Sequence, residues 1–501
     1  MGNDSSSKSD WRLTVACNSV SIFIAAVLTW GARHNITADG VSYLEIGERF
    51  DINPMWSFLY SWIQGLAHYA FQPSLQWKYP VAHLLNFIGY LFALTCFNFL
   101  LRLKAPQKLW ILSSHLIFIW ASLILINVDV IAPDIYVSGF VYLAAFLLIR
   151  IHEGSNRFIL LGLVLGMGYL MKTPMLPLGI VFMVMGAFVS VKRALLGLAV
   201  MMLTASIYII PISVERRRFT LGDNGKVNYA WYVNGIESRY WQGGPNSPRI
   251  LLSHPTIYEF AEPIQVTYPI WYDPAYWYEG VKTPVDLGKL IRVLSRNLVS
   301  FFGSSLLTGP LCVCLALICM FSREKIDHCY LFVPCIASLF LFSAVHIEMR
   351  YIAPFVVLCC LLLAPKGKAA FVSIGIIVLC TAYPVTRYFV DSLRDRRNEG
   401  LVYVRTAEMA KKFGLVAGDK IASLEYSNPF HARWAYLARV RIVSEIYSES
   451  ESPDFVNLPQ ELQQRALDVF RGTGARMVVS RNCGPGWSRL ENTPVCYFKL
   501  R

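Results

Sequence analysis

The chain has 501 residues, of which 55% are hydrophobic and only 16% charged, whereas a soluble domain carries about 25% charged residues. With a mean hydropathy of +0.44, this composition excludes an ordinary soluble globular protein and points to helices that cross a bilayer. The formal net charge of +13 is gathered in short clusters between apolar runs, so topology accounts for it and no nucleic-acid partner is expected.

Taken in chain order, apolar spans are expected at about 12–31, 80–101, 109–127, 135–150, 158–171, 174–191, 194–213, 297–321, 329–345, 351–364 and 369–390. The first lacks a small-x-small cleavage site and reads as an uncleaved helix. Two polar segments, 32–79 and 214–296, interrupt the series, and a polar tail begins near Asp391. The spans 158–171 and 174–191 flank Thr173-Pro174, and charge decides between one kinked helix and two. As two helices, they place Arg102, Lys104 and Lys108, Arg150 and Arg157, Lys192 and Arg193, Arg323 and Lys325, and Lys366 and Lys368 on one side. The short loops of the other side keep only Lys172 and Arg350. The positive-inside rule makes the first side cytoplasmic and puts 32–79, 214–296 and the tail outside. Arg216, Arg217 and Arg218, with Arg394, Arg396 and Arg397, then fall outside, which long loops and domains tolerate.

The tail alternates helix-like stretches (400–413, Asn428–Arg439, 459–471) with strand-like ones (Lys420–Glu425, Val440–Ser444, Arg476–Ser480, Val495–Leu500), the pattern of a small α/β domain. The expected fold class is therefore an α-helical polytopic membrane protein of about eleven transmembrane helices with a small C-terminal α/β soluble domain. Residues 1–390 form the membrane-embedded part, with outer loops 32–79 and 214–296, and 391–501 form an extracytoplasmic domain. Ten of the twelve cysteines lie in or beside apolar spans, as small hydrophobes do. Only Cys483 and Cys496 fall in the tail, where an oxidising compartment lets them pair.

No GxxxxGK[ST], strand-borne GxGxxG, HExxH, GxSxG or paired CxxC is present, which leaves nucleotide-driven transport and the common hydrolases without support. What remains are ionisable residues at membrane boundaries on the outer face. The first loop holds Asp39-Gly40-Val41-Ser42-Tyr43-Leu44-Glu45, then Asn53-Pro54-Met55-Trp56-Ser57-Phe58-Leu59-Tyr60 and an interfacial amphipathic run. Asp129 and Asp134 come next, then Lys172, then His346-Ile347-Glu348-Met349-Arg350-Tyr351. Charged groups beside hydrocarbon carry a large desolvation penalty, which makes them functional candidates converging on one cavity. Each also has a plain alternative: a loop acid for Asp39, a helix cap for Asp134, headgroup snorkelling for Lys172 and Arg350. For Asp51, Asp129, Glu45 and Glu348 the ordinary boundary acid is the first reading. The aromatics of 214–296 serve either as interface anchors or as stacking platforms for sugars.

This ordered set resembles the GT-C superfamily and, more closely, its glycosyltransferase family 39-type branch of protein O-mannosyltransferases and lipid A aminoarabinose transferases. The resemblance rests on Asp39-Gly-Val-Ser-Tyr-Leu, Asn53-Pro-x-x-Ser-x-Leu-Tyr60, Ala132-Pro133-Asp134, Tyr169-Leu-Met-Lys172-Thr-Pro174 and Glu348-Met-Arg350-Tyr-Ile-Ala-Pro354, and spans roughly 10–390. It implies an inverting enzyme of a bacterial inner membrane, surrounded by membrane lipids, that moves a sugar from a polyprenyl-phosphate donor to an extracytoplasmic glycan, lipid or protein. Asp39 is then the base and Asp134 orients the acceptor. Lys172 and Arg350 bind the donor phosphate, with Arg33 and Lys78 as further cations. Tyr43, Glu45, Asn53, Tyr60, Glu348 and Tyr351 are additional substrate contacts. Where the family often has a second acid after Asp39, Gly40 stands here, so no metal ligand is assigned, although a divalent metal stays open as a cofactor.

The chemistry fits these residue types. A phosphate leaving group needs positive charge placed beforehand in a low-dielectric site, and the acceptor needs a base on the opposite face of the anomeric carbon. Two rivals stand beside this reading. A transporter or flippase would place polar groups at the bilayer midplane and show repeated halves. An O-antigen ligase or polymerase would use a diphosphate carrier and draw on Arg239, Arg249 and His254.

Overall fold

The structure, a computed structural model, describes residues 3–103, 108–303, 308–321, 327–363, 368–395, 400–425, 429–447 and 455–500. Lys104, Arg323, Lys325, Lys366, Arg396, Arg397 and Asn428 lie outside the described residues.

Helix α1 (Asn3–Gly31) leads into two short helices of the first polar segment, α2 (Ala38–Arg49) and α3 (Phe58–Phe71). The bundle continues with α4 (Lys78–Leu101), α5 (Lys108–Trp120), α6 (Asp134–His152), α7 (Phe158–Met171), α8 (Met175–Ala187) and α9 (Val191–Glu215). The second polar segment holds α10 (Asn224–Tyr232), the hairpin β1 (Arg249–Ser253) and β2 (Thr256–Glu259), single turns α11 (Pro269–Tyr272) and α12 (Pro274–Trp277), and α13 (Leu287–Phe302). Four apolar helices follow: α14 (Thr308–Phe321), α15 (Phe332–Ser343), α16 (Met349–Leu363) and α17 (Lys368–Asp395). The tail contains α18 (Leu401–Lys412), β3 (Lys420–Glu425), α19 (Phe430–Ala438), β4 (Arg441–Tyr447), α20 (Gln460–Gly472), β5 (Met477–Ser480), β6 (Ser488–Arg489) and β7 (Cys496–Lys499).

Among the described residues, six segments are long and apolar enough to cross a membrane: Trp11–Gly31, Leu75–Leu101, Lys108–Leu125, Asp134–His152, Val191–Glu215 and Phe371–Ser392. Shorter apolar helices occupy the other expected positions. The break at Lys172 separates α7 from α8, as the charge argument requires. One expectation is corrected. The span placed at 297–321 is divided, because α13 buries only one stripe and carries Lys289, Arg292 and Arg296 on an exposed face. The apolar helix begins afresh at Thr308.

Glycines let the helices of the site approach closely. A side chain at Gly47 of α2 would collide with the backbone of Ser61 and Gly65 in α3, and one at Gly65 with Gly47. Gly162 of α7 and Gly197 of α9 meet in the same way, a device common between helices in membranes.

All seven strands form one sheet in the order β1-β2-β4-β3-β5-β7-β6, with β3 parallel to both β4 and β5. The hairpin of the second polar segment joins this sheet through β2, with Tyr258 opposite Glu445. Segment and tail therefore sit at the same end of the bundle, and α14 to α17, an even number of helices, connect them. Cys483 and Cys496 are joined in a disulfide beside β6 and β7. Helix α2 bridges bundle and sheet, because Glu48 accepts from Lys78 Nζ at 2.6 Å and from the Tyr436 hydroxyl at 2.7 Å. Lys78 is thus paired within the fold and does not line the cavity described below.

Candidate active site

A cavity of about 270 Å³ opens at this end of the bundle, lined by loops and helix ends far apart in sequence. Its polar lining includes Asp39, Ser57, Lys172, Asn224, Asn228, His346 and Arg350, and its apolar lining includes Met171, Pro177, Leu341, Phe342 and Val345. Tyr43 and Tyr351 also face it.

Asp39 sits in the first turn of α2, whose start is fixed by Thr37 accepting from the Gly40 N–H. Four residues on, Tyr43 lies on the same helical face. The indole of Trp271 donates to Asp39 Oδ1 at 2.9 Å, and Arg350 Nη2 lies 3.9 Å from Oδ2. One carboxylate oxygen is thereby oriented while the other faces the cavity cations.

Lys172 follows the last residue of α7, where the chain leaves helical geometry. Its ammonium forms an ion pair with Asp134 Oδ1 and lies 3.9 Å from the centre of the Tyr351 ring. Burial pulls the Lys172 pKa below its usual value, and the Asp134 charge opposes that shift. Asp134 is buried and does not line the cavity; among the described residues its second oxygen has no hydrogen-bond partner. This carboxylate meets the cavity only through its ion pair with Lys172.

Arg350, in the first turn of α16, pairs with Glu348 Oε2 at 2.5 Å and lies 5.1 Å from the Tyr351 ring centre. Glu348 also receives His346 at 3.2 Å. Burial alone would raise the Glu348 pKa, but His346 and Arg350 hold it down at about 2. His346 stacks on Tyr232 with ring centres 3.9 Å apart, closing the cavity from the side of α10.

Four expected substrate contacts do not line this cavity: Glu348, which stands behind Arg350, and Asn53, Tyr60 and Glu45. Asn53 Oδ1 accepts from the Met55 and Trp56 N–H groups while its amide donates to the Tyr272 carbonyl. It shapes the turn that presents Met55, Trp56 and Ser57. Tyr60 is fully buried and donates to Asn86 at 2.6 Å. Glu45 faces a second cavity and accepts from the Thr267 N–H and hydroxyl, and its burial raises its pKa to about 7. Among the other acids and cations, Asp129 binds Tyr388, Asp51 pairs with Arg49, and Arg33 donates to the Trp30 carbonyl. Arg216 and Arg218 pair with Asp273 and Asp223, which ties the large loop together. Arg239 lies over the Tyr447 ring and Arg249 pairs with Glu259, so these ligase candidates belong to the sheet.

The residues that sequence reasoning missed are Trp271, Asn224 and Asn228. Trp271 stood among twelve tyrosines and tryptophans of its segment with nothing local to single it out. Asn224 and Asn228 share a face at a spacing of four on α10, a helix the sequence did not announce.

No family model and no curated protein sequence matches the chain. Among solved structures, the crystal structure of ArnT from Cupriavidus metallidurans bound to undecaprenyl phosphate matches with a TM-score of 0.55 and 11% identity. The match covers 96% of this chain and 97% of that one. The chain shares the fold of ArnT. A match of that coverage takes in bundle, loops and terminal sheet together, so the ArnT-like architecture is that of the whole chain. It agrees with the fold that the GT-C resemblance implies.

Proposed function

We propose that this protein is a membrane-embedded glycosyltransferase that moves a sugar from a polyprenyl-phosphate donor to an extracytoplasmic acceptor with inversion. The observation that carries this reading is the convergence of Asp39, Lys172 and Arg350 on one cavity with an apolar wall. The undecaprenyl phosphate bound to the structurally similar ArnT supports the donor class. The paired cysteines of the terminal domain support an oxidising location, hence an outward-facing site in a bacterial inner membrane. The membrane-embedded part is residues 1–390 and the domain behind it 391–501.

The residues of the cavity support a single displacement. The acceptor hydroxyl or amine attacks the anomeric carbon, its proton passes to Asp39, and the sugar–phosphate bond breaks. The electron pair leaves with the polyprenyl phosphate, whose charge Lys172 and Arg350 stabilise in a site of low dielectric. Trp271 keeps Asp39 oriented for the proton, and Asp134 keeps Lys172 at the cavity wall. Displacement from the opposite face inverts the anomeric centre.

The test is release of label from a panel of radiolabelled undecaprenyl-phosphate sugars in membranes bearing wild type or Asp39→Asn. Loss of label from the lipid in wild type alone supports the reading. Equal release by both proteins removes Asp39 as the base, and intact lipid with a broad donor panel removes the donor class.

A further inference from the structure

Helix α13 has three faces, and the activity proposed above uses none of them. Val293, Asn297 and Phe301, spaced by four, are buried, and the Asn297 amide donates to the Ser343 carbonyl at 2.9 Å at the end of α15. A second face carries Leu287 and Ile291, exposed at 67% and 60%, and Phe302. The third carries Lys289, Arg292 and Arg296, all exposed. Among the described residues, none of these three cations has an ion-pair partner.

The position of the helix gives these faces a meaning. Six residues after Phe302 the chain re-enters the apolar bundle as α14. Asn297 meanwhile grips the wall segment that supplies Val345 and His346 to the cavity. The helix therefore lies at the level where hydrocarbon gives way to headgroups, on the end of the bundle that bears the cavity. An apolar face beside a basic face suits that level, since one side dips among acyl chains while the other meets phosphates.

We propose that α13 is an interfacial helix that docks on an anionic phospholipid surface. Lys289, Arg292 and Arg296 contact headgroup phosphates, while Leu287, Ile291 and Phe302 sit among the upper acyl carbons. Charge complementarity decides the occupant: a second copy of this strongly basic chain would bring like charge to the same face, whereas an anionic leaflet brings the opposite.

The experiment is independent of transfer activity. Full-length protein with a fluorescent non-canonical residue at Ile291 is placed in nanodiscs of phosphatidylcholine and phosphatidylglycerol. Quenching is read with nitroxides on the acyl chain of either lipid. The expected result is strong quenching, several-fold greater with nitroxide phosphatidylglycerol than with nitroxide phosphatidylcholine. Raising salt should remove the preference, as should combining Lys289→Gln, Arg292→Gln and Arg296→Gln, with the depth unchanged. Absence of acyl-chain quenching in the otherwise wild-type protein, through water exposure or a covering protein copy, overturns the proposal. Equal quenching by the two lipids there overturns it as well.

Discussion

Because the Lys172 ammonium is inserted between the Asp134 carboxylate and the Tyr351 ring, replacing Asp134 strands a charge in a largely apolar wall. Breaking one partner of a buried pair costs about 3–5 kcal/mol. Asp134→Asn should therefore lower the unfolding temperature of the purified protein and weaken binding of a polyprenyl phosphate, both measurable in detergent. Asp39→Asn acts differently, since the residue is partly exposed and its loss removes a proton acceptor. Turnover should fall by about 10²–10⁴-fold, the usual contribution of a general base, with the unfolding temperature little changed. Trp271→Phe deletes one hydrogen bond to that base. A hydrogen bond to a charged group contributes about 1.5–3 kcal/mol, so turnover should fall by at least tenfold while the donor KM holds. At this scale the sequence groups residues at one end of the bundle but does not show which way each one points. Asp39 and Tyr43 are four apart on α2 and share the cavity face, while Glu45 comes out on the far side of the same helix.

Elements repeat the lesson with different physics. The crossing of α2 over α3 depends on Gly47 and Gly65 meeting backbone to backbone. Gly65→Ala should push α2 outward and lower both folded yield and transfer activity, since Asp39 rides on α2. In the sheet, Glu445 is buried beneath the hydroxyls of Tyr240 and Tyr268, which both donate to it. Burial raises its pKa to about 8, with Arg239 opposing the shift. The folded state then binds more protons than the unfolded one between about pH 4.5 and pH 8, and stability falls as pH rises through that window. Glu445→Gln should flatten this dependence, which thermal unfolding across the same window measures. Strands β3, β4, β5 and β7 and helices α18 to α20 were legible because their apolar spacing is local. Helix α13 was not, since its apolar stripe runs almost directly into the next apolar helix, and a hydropathy window merges the two.

At the scale of the molecule, charge distribution along the loops was enough to place the three polar regions together. The cavity takes lining from the first two of these regions together with helix ends of the bundle, and the sheet is built from the last two. The partnership of β2 with β4 was hidden, because pairing between distant strands leaves no periodic trace in either one. Deleting residues 401–501 should expose the β2 edge and loosen the second polar segment around the cavity. Limited proteolysis within residues 234–265 should then accelerate in the truncated protein.

That same pairing sets an order of events during synthesis. The hairpin is made well before β4 exists, and its strand edge must stay unpaired while the four helices between them are synthesised. The nascent chain is therefore most vulnerable to proteases and to mispairing in that interval. The sheet cannot close before α15 and α16 have been made, so the second polar segment is tied to the tail only after the helices of the cavity wall exist.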